Sequence, residues 1–431
     1  MLTTKYVRDN IDAIKESLGR RKSDYPIDSL LDLDKKWRDE KTQLQELQSK
    51  KNKASLEIAE LKKGGKEIDG KVESLSYLKE QITELEGGLA KHELEIDKLL
   101  WNMPNVLHKS VPYGEEETKN VEVRKWGTPK SAGAKNHEEI LSDLGLVDIE
   151  RAAKISGARF FFLKGDFALL EQSLIRFALD ELVRKGYTMI APPLVLKKKY
   201  YSGVTALGDF EDMLYKIEDP KEAAGKKDYE HIEEELFMIG TSEHPMAAMH
   251  AEETFAGSEL PLKYVGLSPC FRREAGAHGK DTKGIFRVHQ FYKVEQFVFA
   301  RQEDSWEYFD ELVKNEEEIF QKLKLPYHVI DICTGDIGTV AAKKVDLEAW
   351  MPSQQKYREV TSASNCTDWQ SLRLDIKYDE KGERKYVHTL NATAVATNRT
   401  LVAIVENYAN PDGTITVPDA LVPYMGKSKI G

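Results

Sequence analysis

The chain has 431 residues, of which 41% are hydrophobic and 32% charged, and a formal net charge of −10. That length predicts two or three domains of roughly 100–200 residues each, and the apolar content excludes global disorder. The acidic balance excludes nucleic-acid binding through bulk basicity, so any RNA partner has to be gripped by local basic faces.

The opening MLTTKYVRDNIDAIKESL has no apolar h-region, and no stretch reaches the roughly 18 apolar residues of a membrane span. A cytoplasmic protein with no membrane partner is expected. Cys270, Cys333 and Cys366 are scattered, with no C-x-x-C or Cys/His spacing, which predicts reduced core thiols and no zinc. Three N-x-T triplets begin at Asn365, Asn391 and Asn398, and without a secretory signal they are not expected to carry sugar.

Residues 1–27 read as a small helical cap. From about Asp28 to Trp101 the chain turns to Leu, Lys, Glu and Gln, without a proline between Pro26 and Pro104. Apolar residues recur at Leu33, Trp37, Leu44, Leu47, Ala54, Ile58 and Leu61, spaced as a heptad seam. After the break Lys62-Lys63-Gly64-Gly65-Lys66 the rhythm resumes at Ile68, Val72, Leu75, Leu78, Ile82, Leu85, Leu89, Ile96 and Leu99, with a stammer near Leu78. Two helices of about 30 residues joined by a glycine turn fold back as an antiparallel hairpin, an arm of roughly 45–50 Å. From this segment alone a dimerisation coiled coil or an ordinary bundle is the simpler reading. A hairpin covers its own seam, however, and leaves a lysine-rich tip free to touch a polyanion.

Residues 104–137 hold Pro104, Pro112, Gly114, Gly127, Pro129 and Gly133, and read as a linker. The second domain, 138–431, alternates helical stretches (168–185, 243–255, 305–323) with strand-like runs (187–190, 264–267, 290–299, 328–332, 401–405). Strands in adjacent groups predict an α+β domain with a mostly antiparallel sheet. The charged stretch at about 218–235 breaks the pattern and reads as an insertion.

No G-x-G-x-x-G follows a strand, and Gly426-Lys427-Ser428 lacks the upstream glycine of a P-loop, so a nucleotide would have to be bound by side chains. The most informative segment is Phe271-Arg272-Arg273-Glu274-Ala275-Gly276, then a polar loop, then Phe286-Arg287-Val288-His289-Gln290-Phe291-Tyr292-Lys293-Val294-Glu295. On a strand-loop-strand element Arg272 and Glu274 share a face, as do Phe291, Lys293 and Glu295. Arginine forks suit phosphate, a carboxylate can accept from an adenine amino group, and an aromatic ring can stack on a base. For any single RxE, a salt-bridged surface hairpin is the simpler reading.

The segment resembles motif 2 of the class II aminoacyl-tRNA synthetases in the form found in seryl-tRNA synthetase, of the bacterial-like type with a coiled-coil arm. Gly186-Tyr187-Thr188-Met189-Ile190-Ala191-Pro192-Pro193 resembles motif 1, the dimer-contact element. Thr241-Ser242-Glu243 resembles the TxE serine-binding loop, and Glu359-Val360-Thr361-Ser362-Ala363-Ser364-Asn365-Cys366 the acidic metal-binding strand. Asn398-Arg399-Thr400 stands where motif 3 more commonly has Gly-Arg-Thr. The resemblance covers nearly the whole chain, arm included.

It implies a class II antiparallel sheet flanked by helices, a homodimer, and a tRNA-binding N-terminal domain over 1–103. It also implies ATP-dependent activation of L-serine to seryl-adenylate and transfer to the 3′ end of tRNA-Ser, with tRNA-Sec left open as a second acceptor. By the same resemblance ATP is held by Arg272, Glu274, Arg287, Val288, Phe291, Glu359, Val360, Thr361, Ser362 and Arg399. Arg272 and Arg399 are the catalytic pair, and Glu359 and Ser362 are the Mg²⁺ ligands. L-serine falls to Thr241, Glu243, Arg272, Glu295, Asn391 and Thr393. Three rivals stay open at this point: a ligase loading a carrier protein, a non-catalytic scaffold, and the metal-dependent branch of serine-charging enzymes, for which no Cys/Glu/Cys set is seen.

Overall fold

The seam of the first hundred residues folds as its spacing dictates. The computed structural model describes residues 3–65, 67–130, 135–206, 211–218, 235–274 and 284–431, and divides the chain into two compact units, Met1–Val106 and Leu107–Gly431. In the first, short helices α1 (Thr4–Asp9) and α2 (Ile11–Arg21) precede α3 (Ile27–Lys63) and α4 (Asp69–Asn102). The long pair is antiparallel: His92 Nδ1 lies 2.8 Å from Glu40, Gln48 donates to Glu86 at 3.5 Å, and Lys71 donates to Glu57 at 2.6 Å. Ile82, Leu89 and Ile96 are buried, and the seven seam residues of α3 are half-buried. That is what one stripe against one other helix can cover. Val72, near the tip, is exposed instead. At the root, buried Asp34 accepts from Arg8 at 2.6 Å and Arg38 at 3.0 Å, tying α1 to α3.

The second unit is built on an eight-stranded sheet. Its strands are β1 (Val121–Trp126), β2 (Thr188–Ile190), β3 (Leu262–Phe271), β4 (Gln290–Ala300), β5 (Tyr327–Asp331), β6 (Lys343–Met351), β7 (Lys356–Asn365) and β8 (His388–Ala396). Their spatial order is β1-β5-β6-β7-β8-β4-β3-β2, antiparallel throughout except for β2 beside β3. The expected α+β class with a class II-type antiparallel sheet is what forms. The edge strand β1 comes from the stretch that reads as linker in the sequence.

Period-two alternation gives the sheet two different faces. Val294 and Val298 of β4, Ala363 of β7 and Leu390 of β8 join one core with helices α5 (Gly165–Arg184), α7 (Ser305–Lys322) and α8 (Thr397–Tyr408). Phe291, Lys293 and Glu295 of β4 face the other way. Two bulges refine this face. One lies where Val294 and Glu295 meet Val395 and Thr393, leaving Ala394 extra; the other lies where Leu347 and Glu348 meet Thr361 and Glu359, leaving Val360 extra. Each sits beside a polar residue of the cleft and re-aims it.

Three sequence-based expectations fail here. Residues 401–405 are not a strand but the middle of α8: Leu401-Val402-Ala403-Ile404-Val405 is buried on every side, and such a run has no periodicity to separate buried helix from buried strand. The helix expected over 243–255 stops early, as α6 (Glu243–Ala248), before a short strand at Thr254–Ala256. Strands β6, β7 and β8, the middle of the sheet, are not among the expected strand-like runs: β6 (Val345, Leu347, Ala349, Met351) and β8 (Leu390, Ala392, Ala394) do alternate, while in β7 only Val360 and Ala363 reach the core and no alternation is left to read. The insertion expected at about 218–235 lies outside the described residues.

Candidate active site

Hairpin β3–β4 pairs in continuous register from Leu262↔Phe299 to Phe271↔Gln290, so the residues just past its end are aimed by ten rungs of sheet. Arg272 continues this ladder, donating its N–H to His289 O at 3.0 Å. Its guanidinium stands 5.5 Å from the Phe291 ring, and its Nε donates to Gly240 O at 3.2 Å, tying it to the loop that carries Glu243. That loop lies close because Gly266 has no side chain: a Cβ there would meet Met246 and Ser242 at 2.8 Å. Glu274 follows at φ 48, and its carboxylate lies 3.5 Å from Arg287.

Beyond Phe291 the floor is a buried polar network. Glu295, fully buried, receives Lys293 at 2.7 Å and the Thr393 hydroxyl at 3.0 Å on one oxygen. Asn391 Nδ2 bridges the two carboxylates, donating to Glu243 at 3.1 Å and Glu295 at 3.4 Å, while Gln370 donates to the other oxygen of Glu243 at 3.2 Å. Burial, reinforced by the charge of Glu295, pushes the Glu243 carboxyl up to about 7. Burial and the charges of Lys293 and Arg272 hold His244 well below the ordinary histidine range, so it accepts the Tyr201 hydroxyl at 2.5 Å.

The opposite wall is set by β7 and α8. Arg399 meets Glu359 at 3.0 Å and stands 5.4 Å over the Phe286 ring. Burial opposes ionisation of Glu359, but Arg399, Lys344 and Arg272 hold its carboxyl below the usual range. Beside it burial raises the Asp346 carboxyl, although Lys344, at 3.4 Å, pulls the other way. Asp346 Oδ1 is buried with no hydrogen-bond partner among the described residues.

Most of the charged groups among these line one cavity of about 260 Å³. It includes Arg272, Glu274, Arg287, Val288, Phe291, Glu295, Glu359, Val360, Thr361, Ser362, Asn391, Thr393, Arg399 and Glu243, drawn from segments more than 150 residues apart. Val288 and Val360 have side chains in the core, so their backbone is what they can offer a ligand. Thr241 is the exception, for it does not line the cavity; its hydroxyl accepts the Glu243 N–H at 3.2 Å and shapes the loop.

Comparison with known proteins decides the family. Residues 1–107 match the seryl-tRNA synthetase N-terminal domain, and residues 215–408 match the class II tRNA synthetase core domain (G, H, P, S and T). The serine–tRNA ligase of Thermococcus sibiricus is 46% identical over all of this chain and 97% of its own, and that of Methanospirillum hungatei 48% identical over 99% of each. The chain belongs to the seryl-tRNA synthetases. A crystal structure of the Pyrococcus horikoshii seryl-tRNA synthetase complexed with ATP superposes with a TM-score of 0.94, at 44% identity and covering 100% and 99% of the two chains.

In and behind the synthetase's cleft are groups that its motifs did not single out. Lys344, on the unrecognised strand β6, lines the cavity, while Asp346 of the same strand and Gln370, on a six-residue helix with no readable period, support it from outside through Lys344 and Glu243. Lys293 shares the face of Glu295 by simple alternation, and its burial turns that placement into a charge partner.

Proposed function

We propose that this cleft condenses L-serine with ATP and that the resulting seryl-adenylate is passed to tRNA-Ser. The observation that carries the reading is the shared cavity, which brings Arg272, Arg399 and Glu359 together with Glu243, Glu295 and Thr393. A serine carboxylate oxygen attacks the α-phosphorus of ATP, a new O–P bond forms, and the bond to the β-phosphate oxygen breaks to release pyrophosphate. A terminal ribose hydroxyl of tRNA then attacks the acyl carbon and AMP leaves.

Arg272 neutralises charge on the α-phosphate, Arg287 and Arg399 hold the outer phosphates, Phe291 stacks on adenine, and Glu274 accepts from its amino group. Glu243 and Glu295 hold the ammonium, with Asn391 keeping their carboxylates in place. Thr393 pairs with the hydroxyl.

The donor set fits Mg²⁺: an ionised Glu359 carboxylate and the Ser362 hydroxyl, both on the cavity wall, are hard ligands. Among the described residues no three Asp, Glu, His or Cys side chains form a metal cage. Glu359 and Ser362 would hold it, and when bound it offsets charge on the phosphates. On the arm, Lys62 and Lys63 are exposed at the tip, which supports contact with the tRNA backbone. Exposed Leu169 and Val183 on α5 and Met189 on β2 support a homodimer through the motif 1 surface. No helix among the described residues is long and apolar enough to cross a membrane, and Asn365 and Asn398 of the N-x-T triplets are buried, in keeping with a cytoplasmic enzyme.

Pyrophosphate exchange with individual amino acids tests the assignment, and charging of tRNA separates it from carrier loading. Serine is expected to exceed alanine and glycine by roughly 10³-fold or more in kcat/KM, since a pocket that hydrogen-bonds a hydroxyl rejects analogues that lack it. Alanine or threonine outperforming serine overturns it.

A further inference from the structure

A buried assembly outside the cleft holds the returning limb of motif 2. Glu406 on α8 is 1% exposed, and both its oxygens are committed to other segments. Oε1 accepts the His137 N–H at 3.3 Å and lies 3.0 Å from His137 Nδ1, while Oε2 accepts the Ser353 N–H at 3.1 Å. A carboxylate acceptor places the ring proton on Nδ1 and leaves Nε2 at the far edge of the imidazole.

That far edge faces Gly284. Nε2 is buried with no hydrogen-bond partner among the described residues, and a Cβ built on Gly284 would lie 2.3 Å from it and 2.9 Å from Glu138 Cγ. Gly284 also has φ +71, a conformation that disfavours any other residue. The backbone therefore passes beneath the imidazole at a distance only glycine permits. Two residues later Phe286 O accepts Asn398 Nδ2 at 2.8 Å, and its ring lies under Arg358 at 4.4 Å and Arg399 at 5.4 Å. The next residue is Arg287. Helix α8 thus grips the Gly284–Arg287 limb twice, directly through Asn398 and indirectly through Glu406 and His137.

We infer that His137 is a positioning residue for ATP: held by Glu406, its imidazole seats Gly284 and so aims Phe286 and Arg287 into the cleft. The inference rests on the assignment of Arg287 to the nucleotide. It predicts a defect confined to ATP, because Glu243, Asn391 and Thr393 come from other segments and Glu295, further along the same limb, is fixed by sheet pairing on both sides.

The test is serine-dependent pyrophosphate exchange by the full-length chain, with KM for ATP, KM for serine, kcat and Tm measured for H137A, G284A, the double variant and E406Q. H137A and G284A are each expected to raise KM for ATP about fivefold or more with KM for serine within about twofold. Their effects are expected to be sub-additive, since removing the imidazole makes room for the new methyl group. E406Q retains one acceptor in place of two and should show the same ATP-specific defect at about two- to threefold, giving a readout even where H137A does not fold. Additive single effects, an equal rise in KM for serine, or KM for ATP unchanged in both H137A and E406Q overturns the inference. A wild-type chain without serine-dependent exchange instead overturns the assignment beneath it.

Discussion

The tip of the arm and the catalytic cleft use charge in opposite ways. Near the tip, ion pairs such as Lys71–Glu57 lie on the surface, with side chains 50% and 59% exposed, and add little beyond solubility and register; the first unit buries charge at its root, at Asp34. In the catalytic unit, Lys293–Glu295 is 8% and 0% exposed and is locked by further hydrogen bonds from Thr393 and Asn391. Removing one member of such a pair strands a buried charge, so the catalytic unit concentrates its sensitivity in a few residues. The arm spreads its stability along a repeating seam.

If that contrast is right, the two units should fail separately. Deleting Asp28–Trp101 is expected to reduce tRNA charging by more than about 10³-fold while leaving pyrophosphate exchange within about threefold, since the deletion removes lysines suited to an RNA backbone and none of the residues that line the cleft. Equal loss of both activities in parallel assays would break the comparison. Substituting Arg272→Ala should do the reverse, lowering kcat/KM for exchange by about 10²–10³-fold with tRNA affinity retained, as removing one preorganised charge-stabilising donor does elsewhere. A gel-shift titration alongside the exchange assay reads both.

A third expectation sharpens the role of the buried carboxylates. Glu243 has its proton affinity raised to about 7 by burial and by Glu295. Below that pH it is neutral and cannot attract an ammonium group; above it the charge is available. KM for serine should therefore fall as pH rises from 6 towards 8, by up to about tenfold per unit on the acid side, and then level off. A KM flat across this range would remove Glu243 from ammonium binding. The smallest catalytic effect belongs to the seam: Leu89→Ala should destabilise the arm by about 2–3 kcal/mol in a circular dichroism melt and leave exchange unchanged. An exchange defect in that variant would show that the units are coupled.

The contrast also explains what could be read in advance. The arm was legible residue by residue because one physical demand, a covered stripe, repeats every three or four positions from Leu33 to Leu99. The cleft was legible only where short motifs concentrate it, at Arg272–Glu274, Arg287–Glu295 and Glu359–Ser362. Strand β7 was not, because between Lys356 and Asn365 only Val360 and Ala363 reach the core; β6 and β8 carry alternation, at Val345, Leu347 and Ala349 and at Leu390, Ala392 and Ala394, but small and polar residues give it weak strand character. The β-branched run at 401–405 misled in the other direction, since burial on all sides outweighs the weak strand preference of Val402, Ile404 and Val405. Gln370 and His137 carry no local pattern, and their partners are fixed by tertiary contact alone.

The account stands on both ends of the cleft serving one small reactant. A crystal structure of the synthetase with a non-hydrolysable seryl-adenylate analogue tests this most directly. The expected result has the ammonium within hydrogen-bond distance of Glu243 and Glu295, the side-chain hydroxyl at Thr393, the group replacing the α-phosphate at Arg272, and the adenine on Phe291. An analogue bound with its ammonium away from both carboxylates, or with its adenine outside the Phe291 and Arg399 end, would contradict it.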